Sequence, residues 1–444
     1  MRKQRSSDGK RKAQQPESAP PTPEGLCANG FRLRKTAQHL KATKCGEQAL
    51  SIDPNHADAL HLMGLLSFDK GHYDLAVEWF ARAIRQNPTA EYLRHLGEAL
   101  QRLKRYEEAL KAFDKAIQFQ PDSGELWRSL GNALLQLNRG SEALLSYQRA
   151  LQLDPRDFES ASKGGVQLHL QGRWQEALAH FNICVSLEPN YAPILSLRAI
   201  AHRGLRNYEG YLSDSLRAHK LDPTNGEVCN NIGEALLSLG REEEAIAWFD
   251  KALALLPNTP IMLTNKARAI SQFRRFDEAE AIYSRVRTIA PDHAMAEWNM
   301  ALLKLLTGDF AAGWAGREAR WNIPSFSASY PRFQQPMWRG EEPVAAKTVL
   351  IHVDEGLGDT IQFARYVPMV AARGARVILV VPDALQPLLS GLADVAQCLP
   401  SSAGRLPAFD MHCPFSNLPM IFRTSLDTIP PGTSYLPEPA AERQ

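Results

Sequence analysis

The 444-residue chain lacks the features that mark several large classes of protein. Its six cysteines include no CxxC pair, so neither a zinc spacing nor a dense disulfide framework is indicated. No run of about 18 apolar residues occurs, and we therefore predict no membrane span. Lysine and arginine (51) nearly balance aspartate and glutamate (49), which leaves no global field to attract nucleic acid. We predict a cytoplasmic protein with no metal, no cofactor and no nucleic-acid partner.

The two ends of the chain differ in composition from the rest. The first residues, MRKQRSSDGKRK, are basic, and no apolar run follows that would make them a secretory signal. The proline-rich QQPESAPPTPEG comes next and buries too little apolar surface to order itself. We predict a disordered tail over residues 1–24, either simply solvated or in weak contact with an anionic surface, and a short tail over residues 438–444.

A period of 34 residues dominates the first three quarters of the chain. Eight prolines keep this spacing, with one interval of 33. A small residue stands twelve positions before most of them, an aromatic residue eight before, and a glycine 24 before several. The prolines are Pro54, Pro88, Pro121, Pro155, Pro189, Pro223, Pro257 and Pro291, and the aromatic residues are Phe80, Phe113, Tyr147, Phe181, Phe249 and Tyr283. Several residue types that recur at fixed positions over eight periods indicate a repeat architecture.

Each repeat is expected to form two short helices packed as a hairpin. Glycine and alanine allow the helices to approach closely, the aromatic side chain fills the space beside them, and proline ends the second helix. The pattern resembles the tetratricopeptide repeat over residues 25–322, with seven full repeats. The resemblance implies a mainly α fold, a right-handed superhelix whose concave face is lined by the first helices. The repeats start near residues 57, 90, 124, 158, 192, 226 and 260.

Two features of the repeats bear on packing and binding. The fifth repeat has Tyr211 in the alanine position and Ser215 in the aromatic position, so we expect loose packing there. Asn231, Asn265 and Asn299 recur at the sixth position of consecutive repeats. An asparagine amide can pair with any peptide bond. The row is similar to the asparagine ladder of O-linked N-acetylglucosamine transferases and implies a peptide or protein ligand in the groove; alternatively, these amides bond neighbouring hairpins.

The sequence changes character after the repeats. Residues 323–346 contain four prolines and few helix formers, and we expect a linker on the protein surface. From residue 347 to 437, buried strands alternate with helices, which predicts a parallel sheet. The predicted strands cover residues 349–353 and 376–382 together with VAQCL and FDMHC, and the predicted helices cover residues 359–373, part of PDALQPLLSGL and residues near 415–423.

The loop EGLGDT after the first strand is a candidate ligand loop, because ligands bind beyond the carboxyl ends of parallel strands. Gly356 and Gly358 are expected to allow a sharp turn and leave room for a ligand. Asp359 and Thr360 stand where a helix begins, so either can cap free amide groups. The loop lacks the GxGxxG and Walker patterns, and no nucleotide cofactor is predicted.

A longer stretch of this region resembles a known family. HVDEGLGDTIQFARYVPMVAARGARVILVV, followed by FDMHCPFSNLP, is similar to the N-terminal half of glycosyltransferases of the heptosyltransferase type, which have the GT-B fold. The resemblance covers about residues 347–437. It implies that Asp359 deprotonates the hydroxyl of a sugar acceptor, while His412 either faces the same cleft or packs at a strand end.

The sugar-nucleotide half of a GT-B enzyme would follow residue 437, and the remaining residues are too few to form it. We therefore hold two interpretations. The first is a protein–protein interaction scaffold whose repeats bind peptide segments and whose transferase-like domain is incomplete. The alternative is a glycosyltransferase component that acts only with a complementing chain.

Overall fold

The structure is a computed structural model, and it describes residues 21–328, 330–430 and 435–436. Most of the two predicted tails, residues 1–20 and 438–444, lies outside these ranges. The predicted boundary at residue 24 is wrong, because the first helix already begins at Pro23, where Thr22 Oγ1 accepts a hydrogen bond from the Gly25 amide at 3.2 Å. Proline suits this first position, since its missing N–H would have no partner inside the helix.

The chain divides into two compact units, residues 1–221 and 222–444. The first unit consists of helix pairs. Its helices are α1 (Pro23–Lys35), α2 (His39–Ile52), α3 (Ala57–Asp69), α4 (Tyr73–Gln86), α5 (Ala90–Arg102), α6 (Tyr106–Phe119), α7 (Gly124–Gln136), α8 (Gly140–Leu153), α9 (Phe158–Leu170), α10 (Trp174–Leu187), α11 (Ala192–Gly204) and α12 (Tyr208–Leu221).

The recurring proline, glycine and aromatic residues of the sequence explain these helix pairs. Each second helix ends two residues before its proline. Several first helices begin behind a capping side chain; Ser123 Oγ, for example, accepts from the Leu126 amide at 3.4 Å. The glycine column marks close approach: a Cβ at Gly97 would lie 2.5 Å from the buried ring of Phe113. The predicted repeats and their starting residues are confirmed.

The expectation of loose packing in the fifth repeat is wrong. Tyr211 and Ser215 are both buried, with 0% and 1% of their surface exposed. In α11 and α12, residues that differ from those of the other repeats compensate each other in size. Ser215 stands in the aromatic position and Ala199 where most repeats have glycine, while Tyr211 places a buried ring in the alanine position.

The second unit begins with three further pairs and ends in a sheet. Its helical part comprises α13 (Gly226–Ser238), α14 (Glu242–Leu255), α15 (Pro260–Gln272), α16 (Phe276–Ile289), α17 (Ala294–Leu306), α18 (Phe310–Gly316), a 3-10 helix (Arg317–Asn322) and α19 (Pro324–Ser327). Within the described residues, no helix has the length and hydropathy needed to cross a membrane.

The sheet has four parallel strands in the order β3-β2-β1-β4. The elements in chain order are β1 (Thr348–His352), α20 (Leu357–Ala364), α21 (Val367–Ala371), β2 (Arg376–Val381), a 3-10 helix (Asp383–Leu385), α22 (Gln386–Leu389), β3 (Val395–Pro400), β4 (Met411–Pro414), a 3-10 helix (Phe415–Asn417), α23 (Leu418–Ile421) and a 3-10 helix (Leu426–Thr428). The predicted fold class, helix-pair repeats followed by a small parallel sheet, is confirmed.

Two details of the predicted sheet region differ from the structure. The single helix expected over residues 359–373 is divided into α20 and α21, because Pro368 has no N–H for the carbonyl one turn before it. The segment 323–346 is not merely a surface linker. Its Trp338 is fully buried in the core beneath the sheet, and the Trp338 amide donates to the His412 carbonyl at 2.7 Å, which covers the outer edge of β4.

Candidate functional site

The loop after β1 holds two carboxylates that are already paired. Arg320 lies in the 3-10 helix that follows α18, and its Nη2 is 3.4 Å from Asp354 Oδ2, with 1% of each side chain exposed. The Ser416 amide donates to Asp354 Oδ1 at 3.3 Å, and the Ser416 hydroxyl donates to Oδ2. Arg317 forms an ion pair with Glu355. Both carboxylates therefore fasten the loop to the end of the helical repeats within the second unit.

The aromatic residues near this pairing shield it from water. The Arg317 guanidinium lies 5.3 Å from the ring centre of Trp298 and 5.6 Å from that of Trp314. Burial raises the pKa of Asp354, and the hydrogen bonds from Ser416 and the charge of Arg320 oppose that shift. Sequence reasoning missed both arginines, although two arginines three residues apart among tryptophans were a visible signal.

Asp359 is the third residue of α20, and its side chain caps the first turn of that helix. Its Oδ2 accepts from the Gly356 amide at 3.2 Å, and Thr360 Oγ1 donates to the Gly356 carbonyl at 3.0 Å. Neither glycine of the turn uses the left-handed backbone conformation. Gly356 has φ −71°, Gly358 is not among the positive-φ residues, and a Cβ at Gly358 would meet no atom within 4 Å. The open surroundings of Gly358 agree with the expected room beside the loop.

His412 forms a buried pair that the sequence analysis did not anticipate. Its Nδ1 lies 3.1 Å from His352 Nε2, on the neighbouring strand, and the ring of Phe333 packs against both histidines. Burial lowers the pKa of His352 to about 4, and burial followed by the neighbouring His352 lowers the pKa of His412 to about 4. Both rings are therefore neutral at pH 7, and His412 packs at a strand junction.

The three asparagines lie on the first helices α13, α15 and α17, but they are not equivalent. Nδ2 of Asn265 donates to Asn230 Oδ1 at 3.0 Å and to Glu234 Oε1 at 2.7 Å, both on the preceding first helix. The side chains of Asn231 and Asn299 are half-buried, and neither has a hydrogen-bond partner among the described residues. The side-chain amide of Asn265 therefore donates both of its N–H groups within the protein. The N–H groups of Asn231 and Asn299 remain available to a ligand.

The face of α17 that carries Asn299 is otherwise apolar and exposed. Met295, Leu302 and Leu306 stand four residues before, three after and seven after Asn299, which places them on the same side of the helix. Leu302 is 42% exposed and Leu306 66%. An amide able to bond a peptide group thus lies among side chains that can bury apolar residues of a ligand.

Comparisons with known proteins agree with the helical part of this description. Residues 47–91, 61–124, 96–158 and 128–192 match one model of the tetratricopeptide repeat, and residues 226–259 match a second. Protein FlbA of Caulobacter vibrioides is 31% identical over 157 residues, which cover 33% of this chain and 25% of that protein. The Hsp70-Hsp90 organizing protein of Triticum aestivum is 31% identical over 86 residues, covering 19% of this chain and 15% of that protein.

The chain thus spans about a quarter or less of the length of these curated relatives. Among solved structures, Pseudomonas aeruginosa PilF has a TM-score of 0.41 at 22% identity, covering 45% of this chain and 92% of that one. Over residues 47–192 and 226–259 this chain is similar to tetratricopeptide repeats, and the helix pairs described above lie over the same residues.

Proposed function

We propose that this chain is a protein–protein interaction scaffold whose first helices bind an extended peptide segment of a partner. The observation that carries the proposal is the pair of half-buried, unpartnered amides of Asn231 and Asn299 on first helices of a tetratricopeptide-like array. Each amide offers one acceptor and two donors, which match the backbone of an extended peptide whatever its side chains. A cytoplasmic location, where the six free cysteines would stay reduced, belongs to the same proposal.

The chemistry beside Asn299 narrows the class of ligand. Exposed Leu302 and Leu306 favour a peptide with apolar side chains at the positions that face α17. Asn265 cannot offer its N–H groups to the peptide without giving up Asn230 and Glu234. We therefore assign Asn265 to alignment of neighbouring helices, and only its carbonyl oxygen remains for the ligand.

The test uses a peptide selected from a random library against the full chain, with affinity measured by fluorescence anisotropy. Asn231→Ala with Asn299→Ala should weaken binding about tenfold or more, because two hydrogen bonds contribute about 0.5–1.5 kcal/mol each. Asn265→Ala should instead lower stability, with a smaller effect on affinity. Ser129→Ala, at the equivalent position of α7, is the matched control and should change neither.

An unchanged affinity of the Asn231→Ala, Asn299→Ala double variant for every selected peptide would refute the proposed track. A loss of affinity for Asn265→Ala as large as that of the double variant would refute the distinction between the three amides. Thermal unfolding of each variant separates the two effects.

The glycosyltransferase alternative, with a sugar acceptor beside Asp359, is a second proposal that the loop chemistry favours less. Asp354 and Glu355 form ion pairs with Arg320 and Arg317. The Asp359 carboxylate already accepts a hydrogen bond from the Gly356 amide. Its favourable observation is the open space beside Gly358. Calorimetry with a panel of nucleotide sugars tests it.

Asp359→Asn sharpens that test, because asparagine keeps an oxygen for the cap but is not a base. Transfer by the wild-type chain that this variant abolishes, at unchanged thermal stability, would establish the alternative. If the panel neither binds nor reacts, in the presence or absence of a complementing chain, the alternative fails.

A further inference from the structure

Two first helices of the first unit bring together a group of metal-ligating side chains. His61 on α3 and His95 on α5 are 34 residues apart, and Glu91 lies one turn before His95 on the same helix. One nitrogen of each histidine and one carboxylate oxygen of Glu91 all lie within 4.8 Å of one another. His61 is 2% exposed, His95 is half-buried and Glu91 is exposed, so the group opens towards solvent at Glu91.

The hydrogen bonds of the group define where an ion would enter. His61 Nε2 and His95 Nδ1 face each other at 2.8 Å, which requires one shared proton. Arg94 Nη2 contacts His95 Nε2 at 2.8 Å, and because arginine only donates, the His95 proton is on Nδ1. Glu91 has no ion-pair or hydrogen-bond partner among the described residues, whereas Arg94 is also paired with Glu98 and Glu125.

From this geometry we propose that His61, His95 and Glu91 form a binding site for a borderline divalent transition ion such as Zn²⁺ or Co²⁺. Two imidazoles and a carboxylate are ligands that such ions accept, and three protein ligands leave a fourth position open to water. Nitrogens bound to one tetrahedral zinc lie about 3.3 Å apart for bonds of about 2.0–2.1 Å. The two rings must therefore separate by about half an ångström from their present 2.8 Å.

Ion binding also requires a rearrangement at His95. When Nδ1 becomes a ligand, its proton moves to Nε2 and no net charge change occurs on the ring. Arg94 then loses its acceptor and is retained by Glu98 and Glu125, which it already contacts. Arg94 therefore opposes binding, both through its charge and through its donor facing Nε2–H. An acceptor at residue 94 would favour the metal-bound ring.

Variants of this site should change the affinity for the metal ion in both directions. The full chain, freed of metal by a chelator, is titrated with CoCl₂ while visible absorption reports tetrahedral coordination, and with ZnCl₂ by calorimetry. We expect one equivalent to bind. His95→Ala should abolish this binding. Glu91→Gln should weaken it by at least the 10–100-fold that outer-shell partners of a metal ligand contribute.

Two further variants distinguish the site from adventitious binding. Arg94→Gln, which removes a cation and offers an oxygen to Nε2–H, should bind Zn²⁺ more tightly than the wild type. His72→Ala, at an exposed histidine in the turn between α3 and α4, is the matched control and should leave affinity unchanged. Circular dichroism confirms that each variant is folded, and Glu91→Gln tests the site even if His95→Ala is unstable, because Glu91 is exposed.

The proposal is overturned if the wild-type chain takes up no equivalent of Co²⁺ or Zn²⁺. It is also overturned if His72→Ala loses as much affinity as His95→Ala, or if both Glu91→Gln and Arg94→Gln bind like the wild type. The peptide track lies on other helices, so failure of one proposal leaves the other intact.

Discussion

The helix pairs and the attachment of the sheet are stabilised by different interactions. In the repeats, a glycine on one helix receives an aromatic ring from its partner, as Gly97 receives Phe113. At the loop after β1, the contact between helix and sheet depends on the buried charges of Arg320 and Asp354. Apolar packing tolerates compensating exchanges, as the fifth repeat shows, whereas a buried charge requires its own partner. The repeats should therefore tolerate substitutions that the contact between Arg320 and Asp354 does not tolerate.

The largest effect should follow from breaking the charged junction. Arg320→Met removes the guanidinium and leaves Asp354 buried without its cation, which costs about 3–5 kcal/mol. Hydrogen exchange of the β1 and β4 amides, followed by mass spectrometry, measures the loss. The double variant Arg320→Met, Asp354→Leu should recover much of it, because no unpaired charge remains. A single variant as stable as the wild type would show that the charges do not stabilise the junction.

A second prediction concerns pH. The pKa of His352 is lowered to about 4 in the folded protein, against about 6.5 when unfolded, so only the unfolded chain takes up a proton between these values. The contribution of His352 to the free energy of unfolding of the sheet region is therefore fully present above pH 6.5. As the pH falls towards 4, this contribution is lost, which lowers the free energy of unfolding by about 3 kcal/mol.

Urea unfolding at a series of pH values, read by hydrogen exchange in β1, measures this slope. His352→Leu cannot titrate and should have a flatter dependence on pH. From α13 to α16, a stretch of repeats without histidine, exchange should change less over the same range. Equal slopes in both regions would contradict the assignment to His352.

A smaller effect separates two glycines that look alike in sequence. Gly97→Ala places a Cβ against Phe113 and should cost about 1–3 kcal/mol. Gly358→Ala meets no atom within 4 Å and should be neutral or stabilise by about 0.4–1 kcal/mol, since it restricts the unfolded chain. Thermal unfolding of both variants is the measurement. Equal costs would mean that close approach is not what glycine serves in the repeats.

The sequence was most informative where the structure repeats itself. The first residue of each repeat follows from the proline, glycine and aromatic residues that recur along the sequence, because each of these residue types has one steric role. The strands were found within one or two residues, because apolar runs of that length have few alternatives. Pro368 was overlooked as a helix break, although its missing N–H was visible in the sequence.

The candidate sites were less predictable, because each depends on partners far apart in the chain. The spacing of Asn231, Asn265 and Asn299 is identical, yet only Asn265 meets acceptors on the preceding helix. Arg320 and Asp354 are 34 residues apart, and nothing periodic pairs them. The contact of His61 with His95 likewise required the register between two helices.

The covered edge of β4 has a practical consequence for dissecting the protein. The backbone of residues 336–338 supplies the outermost hydrogen bonds of the sheet, and Trp338 fills its underside. A recombinant fragment that starts at Lys347 would expose a bare strand and an empty hollow, inviting aggregation. A fragment that starts before Pro336 would carry its own protection.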